Sequence, residues 1–280
     1  MSHELQDSFQ RCANLFEHAD GLLITAGAGM GVDSGLPDFR GPEGFWHAYP
    51  ALGQRGMGFS QIANPAAFRD DPALAWGFYG HRLNLYRHTQ PHEGFQILRK
   101  IADLLPQGAF IFTSNVDGQF QLSGFHEKQV CECHGSIHHM QCVNGCMADI
   151  WSATEFDPII DEAQGVLISE LPHCPHCGDV ARPNILMFSD WDWLNYRKEM
   201  QEARLKGWRQ RVQRPVIIEI GAGSQIASVR EFSQMQDCPV IRINPTEPEL
   251  RSLRGVSLPV GGLEGLKGIA DSLKQIGFFS

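Results

Sequence analysis

The sequence predicts an α/β protein, a Rossmann-like parallel sheet with helices on both faces, joined to a small cysteine-rich module. Three observations predict it. Apolar runs that each end in small or polar residues recur at 21–29 (GLLITAGAG), 109–118 (GAFIFTSNVD), 214–224 (RPVIIEIGAGS) and 238–245 (CPVIRINP). Short runs of this type read as buried strands of a parallel sheet. Helical patterns accompany them: Leu5, Phe9, Cys12, Phe16 and Ala19 fall at spacings of three and four and share one face. Residues 131–190 differ in texture, rich in Cys, His, Pro and Gly and without long periodicity, as expected of a module held by something other than an apolar core. The expected division is therefore 1–130 with 191–280 as the sheet domain and 131–190 as the module.

Composition narrows the function classes. A chain of 280 residues with 42% hydrophobic content can bury a sizeable core. No run of 18 apolar residues occurs, and MSHELQDSFQ lacks the basic-then-apolar layout of a signal peptide, so the expected location is the cytoplasm, with no membrane partner. A net charge of −9 disfavours direct nucleic-acid binding and suits basic protein tails as partners. Eight cysteines are too few for a disulfide scaffold of this length, and clustered ones in a reducing compartment more often hold metal.

The cysteine spacing is specific. Cys142 and Cys146 form one close pair, Cys174 and Cys177 a second, and two such pairs can wrap one tetrahedral Zn²⁺ whose four thiolates leave no open position. His173 and His176 lie close enough to compete as ligands. Cys131 and Cys133 read as small core residues or free thiols.

The first strand runs directly into Ala26-Gly27-Ala28-Gly29-Met30-Gly31. Glycines there let backbone amides approach a pyrophosphate. Val32 stands where the dehydrogenase fingerprint has its third glycine, and no acidic residue closes a second strand about 20 positions on, which disfavours ordinary hydride transfer. Residues 41–75, with many Gly and Pro, read as a loop that orders over a ligand, within a cofactor-loop and helical part spanning 41–100. In TSNVDGQF, residues 113–120, an amide and a carboxylate lie just past an apolar strand, where ligands gather in open α/β sheets.

Taken whole, GAGMGVDSGLPDFRG at 27–41 resembles the sirtuin signature. TSNVD is similar to the family's Thr-Gln-Asn-(Ile/Val)-Asp, and His134-Gly135-Ser136 to its catalytic His-Gly-Ser. CGDVARPNILMFSD resembles its Cys-Gly-Gly…Arg-Pro segment, and IGAGS and IRINP its later strand ends. The motifs come in family order and cover about 15–265. The resemblance implies an NAD-dependent protein-lysine deacylase, with desuccinylase or demalonylase activity as an extension, acting on an acylated-lysine protein or peptide. It uses NAD as co-substrate and one structural zinc.

The resemblance also implies the site. His134 would deprotonate a ribose hydroxyl, a task suited to imidazole. Asn115 and Asp117 would hold the nicotinamide end. Ala26, Gly27, Ala28, Gly29, Asp38, Phe39, Arg40 and Ser114 would line the near half of NAD, and Gly221, Gly223, Ser224 and Asn244 the far half. Met187 and Phe188 would lie against substrate. Ser114 departs from the family's Gln, and Ser189 and Asp190 from its Gly and Glu. The first departure keeps a protein ADP-ribosyltransferase in view as an alternative, with an NAD-hydrolysing or NAD-sensing module as another. Tyr79 and Arg82 are three apart on one helical face, as in sirtuins that clasp the carboxylate of succinyl- or malonyl-lysine.

Overall fold

The structure, a computed structural model, describes residues 3–38, 41–250 and 254–279. The chain opens with α1 (His3–Phe16), which buries Phe9, Cys12, Ala13 and Phe16. Ala19 lies beyond the helix end and packs against the same core. Strand β1 (Gly21–Ala26) follows, buried at every residue.

Residues 41–75, expected to be a loop that orders over a ligand, are instead largely helical. They form α2 (Gly41–Ala48), α3 (Pro50–Gln54), α4 (Phe59–Ile62) and α5 (Pro65–Asp70), leading into α6 (Pro72–His88). Three of these start on a proline, which suits the first turn because its missing N–H would have no partner there. The Asn64 and Asp71 side chains accept from the N–H groups of Ala66 and Leu74 and so cap two of them.

Helix α7 (Glu93–Leu104), β2 (Ala109–Thr113), α8 (Gln119–Leu122) and β3 (Val130–Glu132) come next. A second, antiparallel sheet is built from β4 (Gly135–Cys142), β5 (Trp151–Ser152) and β8 (Ala181–Ile185), with β6 (Ile160–Asp161) and β7 (Val166–Leu167) forming a separate ribbon. Then follow α9 (Tyr196–Arg211), β9 (Pro215–Ile220), α10 (Ser228–Met235), β10 (Val240–Ile243), β11 (Val256–Leu258) and α11 (Gly262–Gln275).

The main sheet has the order β11-β10-β9-β1-β2-β3, parallel throughout. Strand alternation sends Leu22, Ile24, Ile111 and Ile218 to a core shared with α1, α7 and α11. Leu23, Phe110, Phe112 and Ile217 face the opposite core with Trp208 of α9 and Val229 of α10. Helices thus cover both faces, as the continuous apolar runs require.

A third core unites α2 to α6 with the cysteine-rich strands: Phe45, Phe68, Trp76 and Tyr79 pack with Ile137, Met140, Ile185 and Met187. Trp76 Nε1 donates to the Ala181 carbonyl at 2.8 Å. Among the described residues no helix is long and apolar enough to cross a membrane.

Candidate active site

Strand order reverses between β1 and β9: β2 and β3 extend one side of β1, and β9, β10 and β11 the other. Ligands of open α/β sheets bind at this switch point, outside the carboxyl ends of the strands. Two glycine loops meet there. A Cβ on Gly27 would lie 2.8 Å from the Ala222 Cα, and one on Gly29 2.6 Å from the Gly221 Cα, while Gly221 itself has φ +61°. The glycines are therefore fixed first by backbone packing of the β1 loop on the β9 loop. Gly223 and Ser224 lie exposed beyond that contact.

Asn244 has another task beside it. Its Nδ2 donates to the Ala222 carbonyl at 2.9 Å and its Oδ1 accepts from the N–H groups of Thr246 and Glu247 at 3.0 Å. Both ends of the buried amide knit the loops after β9 and β10 together. Ser224 Oγ donates to Glu247 Oε1 at 2.7 Å. Asp38 is half-buried, and the expected contacts of Phe39 and Arg40 fall outside the described residues.

The loop after β2 closes the near side. Asn115 Nδ2 donates to the Gly27 carbonyl at 3.0 Å, tying it to the β1 loop, and its backbone N–H donates to Thr113 Oγ1. The Ser114 N–H donates to the Ala26 carbonyl. Asp117 is buried, and burial pushes its carboxyl up to about 6, against the Gln119 N–H that donates to Oδ1 at 2.9 Å. His138, which no sequence motif singles out, puts Nε2 2.9 Å from the Asp117 carbonyl and so carries its proton there. Gly118, with φ +73°, leaves that ring its space: a Cβ would stand 2.8 Å from Nε2.

His134 stands where the chain leaves the main sheet after β3 and enters the small sheet as β4. Gly135 makes the passage possible, with φ +81° and no room for a Cβ, which would lie 2.1 Å from the Asn184 carbonyl oxygen. Ser136 is buried, and its Oγ accepts from the His138 N–H at 3.3 Å, so it shapes the start of β4. His134 Nε2 lies 3.2 Å from Ser228 Oγ at the start of α10. Burial, and secondarily Lys198, lower the His134 pKa below the ordinary imidazole value, so the ring is neutral near physiological pH and can accept a proton.

The backbone carbonyl of His134 accepts from the Leu186 N–H at 2.9 Å, which ties the base to the segment after β8. In that segment Met187 is buried, while Phe188 is exposed, with its ring edge-on to Phe59 at 5.7 Å. Ser189, where the resemblance has Gly, adopts the left-handed conformation that glycine favours, φ 54°. Asp190 belongs to the scaffold. Both its oxygens accept from Arg182 at 2.8 Å, and both side chains are fully buried.

Tyr79 and Arg82 lie on α6 as expected, but neither is a surface residue: they are 1% and 7% exposed. Arg82 donates from Nε and a terminal nitrogen to Tyr86 Oη, at 2.9 and 2.7 Å, and its guanidinium lies 5.2 to 5.7 Å from the ring centroids of Phe78, Tyr79 and Tyr86.

The four Sγ atoms of Cys142, Cys146, Cys174 and Cys177 lie within 4.8 Å of one another. The nearest pairs are 3.5 and 3.7 Å apart, close to the spacing of about 3.8 Å that tetrahedral Zn–S bonds of about 2.3 Å impose. His173 and His176 are engaged elsewhere, with the Gly178 carbonyl and the Asp149 carboxylate. The donor set fits a closed four-thiolate zinc site that ties the ends of β4 and β8. Cys131 and Cys133 are buried core thiols. Cys174→Ser is expected to lower bound zinc well below one equivalent and to lower the melting temperature, because metal binding and folding of such modules are coupled. A full equivalent retained on metal analysis would reject this ligand set.

Comparison with known proteins fits this geometry. The Sir2 family model matches residues 27–225. An NAD-dependent protein deacylase of Aquifex aeolicus is 27% identical over 257 residues, 91% of this chain and 95% of that protein. One of Pyrococcus furiosus is 34% identical over 170 residues, 60% of each chain. A Fusarium oxysporum f. sp. cubense protein named as a bifunctional ADP-ribose hydrolase/ADP-ribosyltransferase is 31% identical over 238 residues, 80% of this chain and 39% of its own. Among solved structures, a Sir2 homolog in complex with NAD superposes with a TM-score of 0.70 at 24% identity, covering 99% of this chain and 95% of the other. A Sir2 protein bound to a propionylated peptide gives 0.65 at 17%, covering 95% and 97%. With a family match over well over half its length, glycine loops meeting at the switch point and a histidine at the sheet-to-module passage, this chain belongs to the Sir2 family.

Proposed function

We propose that the protein is an NAD-dependent protein-lysine deacylase. One observation carries the reading: loops from both sides of the switch point are joined by direct contacts at the carboxyl ends of the strands. Asn115 bonds the β1 loop, that loop packs on Gly221 and Ala222, and His134 meets Ser228 just beyond. Asn115 and buried Asp117 present an amide and a carboxyl at one end, a pair suited to a carboxamide and a sugar hydroxyl. In the two glycine loops the Gly27, Gly29 and Gly221 N–H groups bond the Ile220, Gly221 and Ile243 carbonyls, which leaves those of Ala28, Ala222 and Gly223 for phosphates. NAD is thereby a substrate: the acyl-lysine amide oxygen bonds to the ribose carbon, the bond to nicotinamide breaks, and neutral His134 takes a proton from a ribose hydroxyl, which frees that oxygen to receive the acyl group. The Leu186–Phe188 segment is tied to the His134 carbonyl and offers the exposed apolar side chains of Leu186 and Phe188 to an extended peptide.

Incubation with NAD and acylated peptide tests the reading: O-acyl-ADP-ribose and nicotinamide are the expected products. ADP-ribose linked to unmodified protein would instead identify an ADP-ribosyltransferase. That second reading draws on Ser114, whose hydroxyl sits where the family has a longer amide, and on the Fusarium relative's name.

We assign Tyr79 and Arg82 to the acyl end of the substrate. A buried guanidinium held by a phenol and three aromatic faces is worth more to a carboxylate than an exposed one, because little water competes. Arg82→Met is expected to reduce removal of succinyl groups about tenfold more than removal of acetyl groups, about the worth of one charge-assisted hydrogen bond. Equal losses on the two peptides would return Arg82 to a scaffolding role.

A further inference from the structure

Nε2 of His134 has one lone pair in the neutral ring, and in this structure Ser228 Oγ faces it at 3.2 Å. Nδ1 has no hydrogen-bond partner among the described residues, so the pair lacks the orienting third group that a nucleophilic serine requires. What the geometry allows is proton transfer. A hydroxyl has one donor and two acceptor sites, so it can accept from one neighbour while donating to another and pass a proton without carrying charge itself.

Ser228 is well placed for this. It is the first residue of α10, reached directly from the loop that packs its Gly221 and Ala222 on the β1 glycines. Helix α10 is held from behind: Ser233 Oγ bonds Thr25 Oγ1 of β1 at 2.9 Å, and Arg230 Nε donates to the Ala222 carbonyl at 2.8 Å. The serine therefore keeps its position relative to β1 and the Ala222 loop. It is half-buried. The helix N-terminus also favours the partial negative charge that builds on an oxygen giving up its proton.

We propose that Ser228 relays the proton from the ribose hydroxyl to His134. The inference rests on the deacylase reading above. The ribose O–H bond breaks as a new Oγ–H bond forms; the original Oγ–H bond breaks as Nε2–H forms. The ring becomes imidazolium, Ser228 is unchanged, and the ribose oxygen keeps the electron pair that bonds to the acyl carbon. Nicotinamide release and its reversal need no proton at this atom and do not use Ser228.

The experiment compares wild type, Ser228→Ala and Ser228→Thr in two assays: exchange of labelled nicotinamide into NAD with acyl peptide present, and formation of O-acyl-ADP-ribose. Ser228→Ala is expected to keep exchange within about twofold while acyl transfer falls about 100-fold, the low end of a proton-transfer contribution. Ser228→Thr, which keeps the hydroxyl, is expected to restore most of the transfer. Unchanged transfer in the alanine variant, or equal losses in both assays that threonine does not rescue, would overturn the relay. Wild-type protein that performs neither reaction would overturn the deacylase reading instead.

Discussion

His134→Ala is expected to lower acyl transfer by about 10²- to 10⁴-fold, the range of a positioned general base, while exchange of nicotinamide continues. The split follows from where the ring sits. Its backbone is fixed by Gly135 and by the Leu186 N–H, so truncating the imidazole leaves the β4 passage and the segment after β8 in place. The Asn115 and Asp117 loop, which the proposed function assigns to the nicotinamide end, is held independently by the Gly27 carbonyl and by His138. In the wild type, burial lowers the His134 pKa, so the base stays unprotonated to lower pH than an ordinary imidazole. The acid limb of acyl transfer is therefore expected below the usual value of about 6.5. Rate measurements of both partial reactions across pH check this. Loss of exchange together with transfer in the alanine variant would mean that His134 acts on the first step or supports the fold.

The parts of this site that were legible in the sequence are those fixed by local constraint. The strands announce themselves because both faces are buried and the residues of β1, β2 and β9 are apolar or small, save Glu219, which is buried against Arg242. Gly27, Gly29 and Gly135 are legible because no other residue fits where they stand, even though Gly27 and Gly29 serve loop packing before any ligand. The cysteine pairs are legible because thiolates around one ion must come at short spacing.

What was not legible depends on distance. The prolines at 50, 65 and 72 look like loop residues until their neighbours show that they open helices, and the helices exist because Phe45, Phe68 and Trp76 find a core with the strands of the cysteine-rich region. Ser228 is 94 positions from His134, and no local pattern joins them. Asn244 matches a family element by type, yet its amide is committed to loop backbone. Asp190 reads as a mild replacement at a substrate-facing position and proves to be half of a buried ion pair.

That pair carries the largest expected effect on stability. Arg182 of β8 is wholly enclosed, and Asp190 supplies both oxygens of a bidentate bond while Oδ2 also accepts from the Met187 N–H at 3.3 Å. Arg182 also donates to the Ile185 carbonyl, and Gln141 and Asn184 bond one another alongside on β4 and β8. Asp190→Ala strands a guanidinium inside the protein, a change that costs about 3 to 5 kcal/mol for buried pairs. The Asp190 carboxylate gains nothing from staying if Arg182 goes as well: Arg182→Met with Asp190→Leu is expected to recover much of the loss, since two apolar side chains carry no desolvation penalty. Urea unfolding at fixed zinc measures both. The single variant is also expected to weaken peptide binding, because Asp190 fixes the turn that holds Met187 and Phe188. A single variant as stable as the wild type would mean that water or another anion reaches Arg182. A double variant no better than the single would mean that the pair's geometry, and not its charge, holds β8 against the Met187–Phe188 segment.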